Sequence, residues 1–107
     1  MKLVIAVIDN DDCQTVLSEL ARQDLGATRL STSGGFLRAG NATLLIGVDE
    51  TRVSEAVEIL RKFSSKRTQM LSPSSGFASE LFPAAPVEVT VGGATVFVLD
   101  VEQFYKL

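Results

Sequence analysis

The sequence predicts an α+β domain in which strands and helices follow the order β-α-β-β-α-β, with the last strand folded into a hairpin. Three observations carry this. Two short runs, KLVIAVI and ATLLIGV, are apolar at consecutive positions, as strands covered on both faces are. Two longer segments place apolar residues at helical spacing. A final segment alternates valines with polar residues around a glycine pair.

Taken in order, residues 2–8 form the first strand, with Leu3, Ile5 and Val7 on one face and Val4, Ala6 and Ile8 on the other. Asp9-Asn10-Asp11-Asp12 supplies N-cap candidates for a first helix. Its stripe is Cys13, Val16, Leu17, Leu20 and Ala21, and Leu25-Gly26 ends the run. Residues 27–33 alternate weakly as a second strand, and residues 42–48 form the third. Residues 51–63 form the second helix, burying Val53, Ala56, Val57, Leu60 and Phe63. Residues 64–86 hold all three prolines and many serines. That is long for a connection inside a compact domain, and it reads as a functional or mobile loop. PVEVTV and ATVFVLDV then pair across Gly92-Gly93 as a two-residue turn. This order is that of a ferredoxin-like sheet with both helices on one face. Strands one and three are apolar on both faces, so the bare face needs cover, and another copy of the same sheet supplies it most simply.

With 107 residues the chain fits one domain, 1–107, whose modest core leaves burial to be completed by oligomerisation. The net charge of −3 disfavours long nucleic acid as a partner but leaves room for a small anion in a local pocket. The six apolar residues 3–8 are too few for a signal-peptide core or a membrane span. One cysteine allows no internal disulfide, which fits a reducing compartment. The expected location is the cytoplasm, without membrane insertion.

Catalysis has little to draw on. There is no histidine, the commonest general base and metal ligand. Cys13 lies on an apolar helix stripe, as a structural thiol does. Asp9, Asp11 and Asp12 lack the alternating ligands, glycine and bidentate Glu of a calcium loop, and read as capping and solvating residues. The glycines at 34, 35 and 40 lead to Asn41, not to the Lys-Ser/Thr of a phosphate-binding loop. The expectation is a protein that is not an enzyme, with no metal or cofactor.

Residues 31–48, STSGGFLRAGNATLLIGV, are of another kind. Gly34-Gly35 can take positive φ and turn backbone N–H groups toward an anion. Phe36 offers a face on which a planar base stacks, Leu37 can cover its rim, and Arg38 is within reach of a phosphate. Asn41 carries both the donor and the acceptor that read an adenine edge. The same residues also make an ordinary hairpin loop, with Phe36-Leu37 as a subunit contact and Asn41 as a turn residue. Lys66 and Arg67 read as solvated charges.

TRLSTSGGFLRAGNATLLIGV (residues 28–48) and PVEVTVGGATVFVLDV (86–101) closely resemble the PII-like cyclic di-AMP receptor proteins of bacteria. MKLVIAVIDNDD and RTQMLSPSSGF resemble them too, so the likeness runs over nearly the whole chain. The resemblance implies a PII-like homotrimer that binds cyclic di-AMP in clefts between subunits, reorganises the loops 36–41 and 64–86, and so engages or releases a downstream protein. It implies Phe36 as the adenine platform, Gly35 and Leu37 as backbone and rim contacts, Asn41 as a hydrogen bonder, and Thr28 and Gly47 as further pocket positions. The family usually has Asn and Arg where this chain has Asp24 and Gly26, which implies weaker binding here. A PII-like protein for another adenine nucleotide and a trimeric adaptor without small ligand are the alternatives.

Overall fold

The computed structural model describes residues 1–30, 40–71 and 87–107. Within them β1 (Lys2–Asp9), β2 (Ala27–Leu30), β3 (Asn41–Val48) and β6 (Ala94–Asp100) form one sheet in the order β2-β3-β1-β6, every neighbour antiparallel. Helices α1 (Asn10–Arg22) and α2 (Val53–Ser64) pack on one face of it. This is the ferredoxin-like arrangement that the element order predicts.

Alternation along the strands divides the sheet cleanly. Val4, Ala6 and Ile8 of β1 and Ala42, Leu44, Ile46 and Val48 of β3 are buried against Cys13, Val16 and Leu20 of α1 and Ala56 and Leu60 of α2. Cys13 is a core residue, as its place on the stripe predicts. The opposite face carries three rows across the strands. Gly47, Leu3 and Leu99 make the first; Thr28, Leu45, Ile5 and Phe97 the second; Leu30, Thr43, Val7 and Thr95 the third. Asn41 stands opposite Asp9 at the end of the face. Phe97 and Leu99 are 53% and 46% exposed there, so among the described residues the second apolar face that the sequence predicts is open along β6, while Leu3, Ile5, Val7 and Leu45 are half-buried and Thr43 is buried.

Aspartates cap the start of α1 and the 3-10 turn that leads into α2. Asp9 accepts the N–H of Asp11 at 2.9 Å ahead of α1. Asp49 accepts the N–H of Thr51 at 3.0 Å and starts a 3-10 turn, Glu50–Arg52, that runs into α2. The second helix thus begins at Val53 rather than at residue 51. The end of α1 also differs from expectation, because Gly26 is not its terminator. Asp24 takes the left-handed conformation (φ 58°), with its N–H on Ala21 O at 3.0 Å and that of Leu25 on Leu20 O at 2.9 Å. These are the paired bonds of a Schellman cap, and Leu25 folds back into the core as such a cap requires.

Two further corrections concern the second half of the chain. Residues 64–86 are not one loop: Ser64 ends α2, and Arg67–Leu71 is a strand, β4. Residues 72–86 lie outside the described residues. The C-terminal strands do not pair with each other either. β5 (Val87–Val91) pairs with β4 as a separate two-stranded ribbon, whereas β6 runs along β1 from Lys2↔Asp100 to Ile8↔Ala94. Gly92 and Gly93 do have the positive φ of a hairpin turn, 79° and 119°. They use it to step the chain from ribbon to sheet, and the Gly93 N–H donates to Ser64 O at 2.8 Å instead of closing a β5–β6 ladder.

Candidate ligand site on the open sheet face

Thr28, Asn41 and Gly47 come from different strands or strand ends, yet register puts all three on the uncovered face. They do not meet at one point. Gly47 and Asn41 are six positions apart on β3, about 20 Å at the rise of a strand, with Thr28 on β2 between them. Gly35, Phe36 and Leu37, the other expected ligand residues, lie outside the described residues, as do Gly34 and Arg38.

Gly47 is exposed in a strand interior, where glycine weakens the ladder and packs nothing. Its own chain does not require it. A Cβ there would meet only Met1 Sδ, at 3.9 Å, an ordinary contact. What the missing side chain leaves is room over the sheet for something from outside the chain. Sequence chemistry gave no reason to choose Gly47 or Thr28; only the resemblance did.

Thr43 was not singled out at all. It sits between Leu30 and Val7 on the same face and is 5% exposed. Its Oγ1 is buried without a hydrogen-bond partner among the described residues. An unpaired buried hydroxyl costs free energy until something satisfies it.

At the Asn41 end the sheet opens into a cleft of about 760 Å³, lined by Asn41, Arg61, Ser65, Lys66, Gly92 and Gly93 among others. Arg61 is paired with Glu58 at the surface. Arg67 is not the solvated charge its sequence context suggests, for it binds Asp12 through both guanidinium nitrogens. That hydrogen bonding raises its pKa further above the ordinary arginine value. Asp12 in turn is buried and paired rather than solvating the helix start.

The Asp24–Gly26 stretch borders a second, shallower pocket of about 480 Å³ with Leu17, Ala21 and Ala27. A Cβ on Gly26 would meet nothing within 4 Å, so a long side chain has space there. Beside it Arg52 donates to Gln23 O at 2.6 Å and grips Glu55 through Nε and Nη2, each at 3.0 Å. Its pKa is raised chiefly by Glu55, with the charge of Asp24 contributing. The anion at position 24 is therefore partly offset by a cation of its own chain.

A cyclic-di-AMP receptor family model matches residues 1–107, the whole chain. The chain belongs to the cyclic-di-AMP receptor family. A crystal structure of a functionally unknown protein from Pediococcus pentosaceus ATCC 25745 is similar as well, at 42% identity and a TM-score of 0.80 over 99% of this chain and 96% of that one. Membership in the cyclic-di-AMP receptor family agrees with the ferredoxin-like sheet described above. No described helix is long and apolar enough to cross a membrane.

Proposed function

We propose that this protein is a cytoplasmic signal receptor, a single domain of residues 1–107, that binds cyclic di-AMP between the subunits of a homotrimer and through it regulates a partner protein. The match of the whole chain to the cyclic-di-AMP receptor family carries the reading. The sheet face opposite the helices supports the intersubunit placement, since Gly47, Thr28 and Asn41 all front it by register and Phe97 and Leu99 on it are exposed among the described residues. In this reading Phe36 stacks on an adenine, Gly35 and Leu37 line its rim, and Asn41 hydrogen-bonds the base. Thr28 and Gly47 form the floor. The chain does no chemistry on the ligand; binding energy is spent on rearranging the segments at residues 36–41 and beyond β4.

A thermal-shift panel with cyclic di-AMP, cyclic di-GMP, ATP and ADP tests this. A ligand at 100 times its Kd stabilises the fold by about 2.7 kcal/mol, and cyclic di-AMP is expected to do so. A response to ATP or ADP alone would make the protein a PII-like receptor for another adenine nucleotide. No response to any of the four would leave a trimeric adaptor. Phe36→Ala should weaken cyclic di-AMP binding by about 1–3 kcal/mol, the value of one stacked base, with the trimer intact by light scattering.

A further inference from the structure

The β4–β5 ribbon has no evident means of holding its direction. Two strands alone are marginally stable in water, and among the described elements no helix or strand lies along either of its faces. Its residues from Arg67 to Met70 are exposed. Among the described residues the ribbon is gripped at its base. There Arg67 Nη2 donates to Asp12 Oδ1 at 2.7 Å and Nη1 to Oδ2 at 3.2 Å, a two-pronged bond between the first residue of β4 and the first turn of α1. The Asp12 side chain is 9% exposed and that of Arg67 47%, so the carboxylate end of the bond is buried while the guanidinium keeps one side in water. Nη1 also donates to Ser65 O at 3.2 Å.

The other strand passes through the same place. A Cβ on Gly92 would stand 2.6 Å from Arg67 Nη1 and 2.7 Å from Ser65 O, closer than a real side chain can approach, and φ there is +79°. Only glycine fits beside the guanidinium. The Gly93 N–H then fastens to Ser64 O. Helix capping does not account for Asp12, because Asp9 already performs it, and both Asp12 oxygens are taken by Arg67. The arrangement is a collar through which both strands of the ribbon leave the domain, and Ser65, Gly92 and Gly93 of that collar also wall the cleft that holds Asn41.

We propose that Asp12 and Arg67 are positioning residues: their bond, closed over Gly92, sets the direction of the ribbon and couples it to occupation of the adjoining cleft. Whatever fills the cleft presses on the collar, and the ribbon, with the chain that continues from its tip, turns accordingly. The meaning of this coupling for signalling rests on the receptor reading; the collar itself does not.

Amide hydrogen exchange on the full chain tests the collar without ligand, in wild type, Asp12→Asn, Arg67→Lys and Gly92→Ala. Arg67→Lys keeps the charge but loses the fork. All three variants should speed exchange in β4 and β5 by about tenfold or more while β1 and β3 keep their protection, as expected for local opening. Unchanged exchange in the ribbon would overturn the proposal. So would an equal loss across β1 and β3, which would make the pair a general stabiliser. With cyclic di-AMP added, wild type should gain ribbon protection, whereas Asp12→Asn should still bind by calorimetry without that gain. A normal gain in Asp12→Asn would overturn the coupling. If wild type binds no cyclic di-AMP, the receptor reading fails, and the ligand-free exchange still decides the collar.

Discussion

Single positions give the sharpest tests of the proposed ligand face. Position 24 is where α1 ends, in a left-handed conformation that Asn and Asp tolerate better than other side chains. Asp24→Asn is therefore compatible with the cap, and Gly26→Arg enters open space. Together they remove an anion and add a cation and a donor fork. Calorimetry should show the double variant binding cyclic di-AMP more tightly than wild type; equal or weaker binding would mean that these positions do not face the ligand. Gly47 gives the opposite test. Gly47→Val meets only Met1 Sδ in its own chain, so the subunit should fold. The added methyls would intrude on a neighbour or ligand and weaken binding by about 1–3 kcal/mol, as overpacking usually does. Full affinity in Gly47→Val would clear this part of the face of any role.

Among the elements, the turn before α2, the start of α2 and the end of β6 each carry a carboxylate that ties stability to pH. Asp49 has its pKa lowered, first by the backbone N–H of Thr51 and then by its hydroxyl. Glu55 is lowered by Arg52, and Asp100 by Lys2. A carboxylate whose folded pKa lies below its unfolded value contributes stability above the unfolded pKa and loses it as pH falls through the folded one. The melting temperature should thus drop as pH falls below about 4, the unfolded carboxylate range, and the drop should shrink in high salt because all three groups are at the surface. Asp49→Ala should flatten part of that profile. The same elements show where sequence reading succeeds. Strands and helices of the main sheet announce themselves because one side of each is buried and the other is not, so Val4, Ala6 and Ile8 or Val16 and Leu20 leave a period. β4 leaves none: Arg67, Thr68, Gln69 and Met70 are all exposed, and strand character there comes from pairing with β5. The glycine pair predicted a reversal and delivered the dihedral angles, but β6 finds a longer partner in β1. At the candidate site, the donor and acceptor of Asn41 are legible in the sequence, and register adds its place at the end of the face. Thr43 and the Asp12–Arg67 bond are not legible there, since neither a buried hydroxyl nor a pairing 55 positions apart has a local signature.

For the molecule as a whole, the uncovered sheet face is the main unfinished surface. Its rows of Leu3, Ile5, Leu45, Phe97 and Leu99 run to the edge strand β6, and an exposed apolar edge of this kind invites association. Phe104 and Tyr105, after β6, are exposed as well. Light scattering at micromolar concentration should report three chains. A monomer would leave Gly47, Thr28 and Asn41 facing water and would remove the cleft in which they are proposed to act.

The ribbon standing apart from the main sheet has a consequence for how this receptor can diversify. Because β4 and β5 pair with each other, the ends of the stretch between them are held together by the ribbon, not by the core. Lengthening such a stretch costs little, about 0.6 kcal/mol for each doubling, and the four strands of the main sheet need not adjust. A change in the length or sequence of residues 72–86 therefore falls on the ribbon's far end, and the main sheet and the collar keep their frame.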